Sequence, residues 1–127
     1  MPDFRRRTSM TATVDNIGGV AGRAARAPES TTQDQILAAL HDRGIFAWRQ
    51  NTGGAKVKGA FVRFGIPGTP DIIAVLPPSG VVLWIEVKGA LGRQTDAQKL
   101  FQSRIEQAGG RYVLARSVAD VLERIDR

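Results

Sequence analysis

The spacing of apolar positions changes several times along this chain, and each change marks an element. Ile36, Leu37 and Leu40 recur at the spacing of one helical face. Ser30 with Gln33 has the form of a capping box ahead of them, and Gly44 supplies the stop behind. Ile45 to Arg49 reads as a first strand. Residues 51–59, NTGGAKVKG, are glycine-rich and basic, which predicts a loop or a flexible hairpin, and Ala60 to Phe64 resembles a short strand. Two apolar runs follow, Asp71 to Leu76 and Val81 to Lys88, joined by the turn Pro77-Pro78-Ser79-Gly80. Thr95 with Gln98 forms a second capping box, opening a helix faced by Leu100, Phe101, Ile105 and Ala108 and stopped by Gly109-Gly110. Tyr112 to Ala115 is a last strand, and Ser117 with Asp120 starts a final helix faced by Val118, Val121, Leu122 and Ile125. The order α-β-β-β-β-α-β-α predicts an α/β sandwich around a mixed sheet, because the helix between the last two strands permits a parallel crossover. There is no internal repeat.

Composition narrows the class. The 127 residues suffice for one domain with a real core, and no stretch reaches the roughly 18 apolar residues of a membrane span. The N-terminus has arginines but no apolar run behind them, so no secretion signal is expected. The absence of cysteine excludes disulfides and thiolate zinc sites, and suits an intracellular protein. The single histidine, His41, leaves no histidine cluster, so a metal would need oxygen ligands. The net charge of +6 favours polyanionic partners, nucleic acid first among them. Residues 1–28 hold five arginines against two aspartates and few large apolar side chains, which predicts a disordered basic arm ahead of a folded domain at 29–127. That arm is either dispensable or a grip on DNA.

The hairpin from Asp71 to Lys88 carries the chemistry. Pairing Leu76 with Val81 and counting outward sets Asp71 opposite Glu86 on one face, with Lys88 on that face two residues further. Opposed side chains lie roughly 5 Å apart at Cβ, where like charges destabilise. Two facing carboxylates therefore call for a cation, most economically a divalent metal. Such a metal lowers the pKa of water and polarises a phosphoryl oxygen, while a lysine orients the water or stabilises charge on phosphorus. Leu83, Ile85 and Val87 alternate to the opposite face and hold the strand rigid. An ordinary surface Glu-x-Lys pair is the plainer alternative, and Pro70-Asp71 just ahead of the hairpin weighs against it.

Pro70-Asp71, fourteen intervening residues and Glu86-Val87-Lys88 resemble the PD-(D/E)xK nuclease signature. The fuller strings FVRFGIPGTPDIIAVLPPSGVVLWIEVKG and GRQTDAQKLFQSRIEQAGG resemble the VRR-NUC branch, in its small stand-alone phage and bacterial form. The resemblance spans roughly residues 29–125. It implies a restriction-endonuclease-like α/β sandwich, a central mixed sheet flanked by helices, and phosphodiester hydrolysis dependent on Mg²⁺, with Mn²⁺ substituting. It also implies structure-directed cleavage of branched or junction DNA by a homodimer resembling Holliday-junction resolvases, with roles in DNA repair and recombination. Such a protein works in the bacterial cytoplasm or the phage-infected cell, without membrane or small-molecule cofactor.

Residue by residue, the resemblance makes Asp71 and Glu86 metal ligands, the main-chain carbonyl of Val87 the third ligand, and Lys88 the catalytic lysine. An acidic residue near the start of the first helix is matched by Glu29, with Asp34 as its rival. Gln98 falls where the branch carries a catalytic glutamine, although it also completes the Thr95 capping box, and one side chain can serve both. Pro67, Gly65 and Gly68 shape the turn that delivers Asp71, giving close phosphate approach. Arg49, Asn51, Lys56, Lys58, Arg63 and Arg93, with Thr52, are candidate contacts to DNA. Trp84 is expected in the core beneath a helix, and His41 is structural or solvent-exposed. Phe61 and Phe64 are candidates for a dimer surface. Two other functions stay open: a non-catalytic branched-DNA-binding module and a nuclease acting on RNA.

Overall fold

The computed structural model describes residues 28–50 and 53–126; the predicted arm, Asn51, Thr52 and the side chains of Arg63 and Phe64 lie outside the described set. The chain order is α1 (Glu29–Asp42), β1 (Phe46–Arg49), β2 (Gly53–Val57), β3 (Ala60–Phe64), β4 (Ile72–Leu76), β5 (Val81–Val87), α2 (Asp96–Gln107), β6 (Arg111–Ala115) and α3 (Val118–Ile125). The main sheet runs β1-β4-β5-β6. β4 pairs antiparallel with β1 and β5, whereas β6 lies parallel to β5 after the α2 crossover. This is the expected mixed sheet. Among the described residues, no helix is long and apolar enough to cross a membrane.

Strand alternation divides the sheet into two unlike faces. One face carries Ala47, Ile72, Ala74, Leu83, Ile85, Val87, Val113 and Ala115, and packs against Ile36 and Leu40 of α1 and Val121 of α3. Leu83, Ile85 and Val87 are fully buried, as their alternation predicts, and each such side chain contributes about 2 kcal/mol. The other face carries Trp84, Glu86, Tyr112 and Leu114, and among the described residues only α2 lies over it. Trp84 meets Phe101 of α2 at 5.4 Å between ring centroids, so it is the packed aromatic the sequence suggests. α2 itself has no fully buried residue. At the β1 edge this face is uncovered: Phe46 and Trp48 stack 5.0 Å apart, with Phe46 69% exposed.

Two expectations need correction. Ser30 does not cap α1. The helix starts at Glu29 behind Pro28, whose φ of −61° and ψ of 152° fit the extended cap position, and no side chain caps it. Ser30 therefore lies inside the first turn. Of the loop and the hairpin considered for the segment after β1, the structure has the hairpin, and its first arm is a fifth strand before α2 that the strand count lacked: Gly53–Val57 pairs with Ala60–Phe64 in a separate ribbon. Lys58 and Gly59 both take positive φ at its tip, 52° and 83°, the two-residue turn that matches the twist of an antiparallel hairpin. Low strand propensity in GGAKV hid the strand from a propensity reading. Elsewhere the boundaries hold to within a residue or two, and both later helices begin at the predicted caps, Thr95 and Ser117.

Candidate active site

The β4–β5 ladder runs from Leu76↔Val81 to Ile72↔Ile85, the register predicted, and one further step faces Asp71 to Glu86. Asp71 stands just before β4 and is held from both sides. Its carbonyl accepts the Gln50 N–H at 2.7 Å, and its Oδ2 accepts the Val87 N–H at 2.8 Å. Pro70 ahead of it is buried. Lys88, just past β5, donates its main-chain N–H to the carbonyl of Ala115 at 2.9 Å, which ties the loop to β6.

The approach to Asp71 depends on one glycine. Gly68 has φ of +85°, and a Cβ there would fall 2.3 Å from the carbonyl oxygen of Ala97. The turn is thus pressed on the first turn of α2. The close approach predicted for this glycine is to protein backbone, and it locks the Asp71 segment to the helix that carries Gln98.

Glu86 is 1% exposed. Its Oε2 accepts Gln98 Nε2 at 3.1 Å and lies 3.9 Å from Lys88 Nζ. Its Oε1 is buried and has no hydrogen-bond partner among the described residues. Gln98 contacts the cap and Glu86 at once. Its Oε1 accepts the Thr95 N–H at 2.8 Å while its own N–H donates to Thr95 Oγ1, closing the capping box. With the amide oxygen fixed by the cap, the NH₂ group is the end left to face Glu86.

Burial pushes the Glu86 carboxyl up to about 8, and the charge of Asp71 and the nearness of its carboxyl add to the rise. Lys88 opposes it, and Glu29 adds a smaller increment. Without a cation, the Glu86 carboxyl therefore holds its proton well above the ordinary carboxylate range. Tyr112, fully buried on the same face, is likewise pushed up to about 12, chiefly by burial.

The other candidates separate clearly. Glu29 opens α1, and its Cγ lies 3.9 Å from where a Cβ on Gly89 would stand. It acts on Glu86 electrostatically, yet among the described residues no three of His, Cys, Asp and Glu form a metal-holding group. Asp34 turns away and pairs with Arg49 on the α1 side. Arg49 is thus engaged on the face opposite Glu86. His41 Nε2 bonds the carbonyl of Ala47 at 3.0 Å, a structural tie between α1 and β1. Lys56 and Lys58 are exposed on the β2–β3 ribbon, which leaves the sheet at the Arg49↔Ile72 end, beside Asp71. Asn51 and Thr52 lie outside the described residues, as does the Arg63 side chain. Arg93 is exposed on the loop between Lys88 and α2. Phe61 is 64% exposed.

Sequence reasoning missed a half-buried polar network beside the site. Gln94 Nε2 donates to Gln102 Oε1 at 2.9 Å and to the Tyr112 hydroxyl at 3.2 Å. Parallel pairing of Trp84 with Tyr112 brings that hydroxyl to the α2 face. The one available signal was the α2 crossover, which requires parallel pairing and so places Tyr112 on the Glu86 side once the register is known.

A buried acceptor with no donor, next to a second carboxylate, is suited to a hard cation with oxygen ligands. Asp71, Glu86 and the Val87 carbonyl offer only oxygen.

A sequence model of the VRR-NUC domain matches residues 24–119. No curated protein matches the chain. A solved structure of a VRR-NUC domain is similar in fold, with a TM-score of 0.57 and 20% identity over 78% of this chain and 95% of that one.

Proposed function

Because the chain belongs to the VRR-NUC domain family, a nuclease-type family, we propose that it is a metal-dependent, structure-selective endonuclease that hydrolyses phosphodiester bonds in branched DNA, in the manner of a Holliday-junction resolvase. The observation that carries this reading is the buried, partnerless Glu86 Oε1 beside Asp71, with Lys88 on the same face. Asp71, Glu86 and the main-chain carbonyl of Val87 would hold Mg²⁺ or Mn²⁺, with Glu29 adding negative charge behind them. The ion supplies Lewis acidity toward the phosphate and the attacking water. Lys88 orients that water or stabilises the charge that develops on the phosphoryl oxygens. Gln98 keeps the Glu86 carboxylate in place, and the Val87 N–H does the same for Asp71. A second copy is proposed to cover the Phe46–Trp48 edge, since two symmetric cuts need two sites and one chain has one.

The test is cleavage of a labelled panel (four-way junction, flap, nicked duplex, linear duplex, single strand and matched RNA) with Mg²⁺, Mn²⁺ or EDTA. Wild type should give paired nicks at the junction in either metal and none in EDTA, and Asp71→Asn and Lys88→Ala should lose at least about a hundredfold in rate. Undiminished cleavage by either variant would refute the site. Binding without cutting in every metal would favour the recognition module, and preferential cleavage of RNA would move the substrate class.

A further inference from the structure

Beside the proposed centre lies an open cleft of about 440 Å³ whose walls include Leu91, Gly92, Arg93, Lys99, Leu114 and Arg116. Three of these are cations and none of the lining residues is a carboxylate. Arg116 is engaged in the wall itself, donating from Nη1 to the carbonyls of Gly89 and Ala90. Arg93 and Lys99 have no hydrogen-bond or ion-pair partner for their side chains among the described residues. Leu91 is 73% exposed, an apolar side chain on the rim that no described residue covers.

The cleft adjoins Glu86 across one strand and Lys88 along its loop. Leu114 pairs with Glu86 in the parallel register, and adjacent strands lie about 4.8 Å apart. A Cβ on Gly92 would sit 3.3 Å from Lys88 Cδ, so the cleft floor rests on the stem of that lysine. A group seated here is the next neighbour of a phosphate held at Asp71, Glu86 and Lys88.

We infer that this cleft seats a single unpaired nucleotide flanking the scissile phosphate. Its base lies against Leu91 and Leu114, and its phosphate faces Lys99 and Arg93. A bare anion would leave the two leucines unused, and a paired base stays stacked in its duplex and cannot reach them. Nucleotides already unpaired at a flap or gap, and pairs that open at the branch point of a junction, enter with less unstacking than an intact duplex demands. The inference rests on the nuclease reading and gives it a source of structure selection: the enzyme selects DNA by whether one nucleotide beside the cut is free to turn into the protein.

The experiment compares affinities by fluorescence anisotropy in the full chain carrying Lys88→Ala. The probes are a duplex with one unpaired thymidine and the same duplex with an abasic residue there. Lys99→Gln should weaken binding to both and lower the slope of log affinity against log salt by about 0.7, the share of one single-strand phosphate. Leu91→Ser should weaken binding of the thymidine probe by at least about threefold, the scale of one apolar contact, and leave the abasic probe unchanged. Both positions are exposed, and thermal melts check that the fold persists. Wild-type affinity in either variant, or an equal loss on both probes for Leu91→Ser, overturns the proposal. Cleavage by wild type and Asp71→Asn runs in parallel. Metal-dependent cutting lost in Asp71→Asn, with both cleft variants normal, fails the cleft alone. A wild type that neither binds nor cuts fails the nuclease reading with it.

Discussion

Glu86 concentrates the physical conflict in this protein. A fully buried carboxylate facing a second one is costly when charged, and only a 3.9 Å lysine and one amide N–H offset it. Its carboxyl titrates near 8 in the folded chain against an ordinary value of 4.5, so folded protein retains a proton that the unfolded chain has released. Stability from this group is complete below about pH 4.5 and is lost as pH rises through 8, a swing on the order of a few kcal/mol. Glu86→Gln removes that slope. In EDTA at pH 8.5 the variant should melt above wild type, and at pH 4.5 the two should melt together. Mg²⁺ should raise the wild-type melting temperature at pH 8.5 and leave the variant where it was. A variant that melts lower than wild type at high pH would contradict this account of the site.

At the scale of elements, α2 is less a core helix than a support for Gln98. Its cap, Thr95, was legible from Thr-x-x-Gln, and so was the possibility that one glutamine serves two tasks. The contact to Glu86 was not legible, because it depends on where the crossover sets α2 over β5 and on Gly68 pressing the Asp71 turn against Ala97. Gln98→Glu separates the two tasks. Glutamate also completes a capping box, so helix stability should change by less than about 1 kcal/mol through the cap. It places a third carboxylate against Glu86, however, and cleavage should fall by about tenfold or more, the scale of one lost active-site hydrogen bond. Denaturant midpoints at pH 6, set beside single-turnover rates, distinguish this from a merely structural effect. A rate near wild type would remove Gln98 from the site.

Across the whole molecule the asymmetry of the sheet is the dominant feature. α1 and α3 bury one face, and α2 leaves the β1 edge of the other open, with Phe46 and Trp48 stacked on it. This stripe differs from the place suggested by sequence, Phe61 and Phe64 on the ribbon. Those residues stand out by aromatic content, whereas the exposure of Phe46 follows from which layer α2 fails to cover. A dimer through this edge predicts that wild type elutes at twice the chain mass in light scattering. Phe46→Ser with Trp48→Ser should elute as a monomer and convert paired nicks at a junction into single ones. A monomeric wild type that still makes paired nicks would exclude the dimer.

The sequence by itself determined the mixed α/β sheet, both later helix caps, the Asp71–Glu86 register and the side on which Lys88 projects. Each follows from local chemistry: a two-residue period, a short turn, a side chain that caps its own helix. Tertiary structure decided the rest. It showed that Glu86 has an acceptor oxygen with no donor among the described residues, that Glu29 rather than Asp34 adds to its charge environment, and that Arg49 is engaged by Asp34 on the opposite face. It also brought Leu91, Lys99 and Leu114, from a loop, a helix and a strand, into one cleft. Those outcomes depend on how separate segments pack, and period and spacing constrain only residues that are neighbours along the chain or across a hairpin.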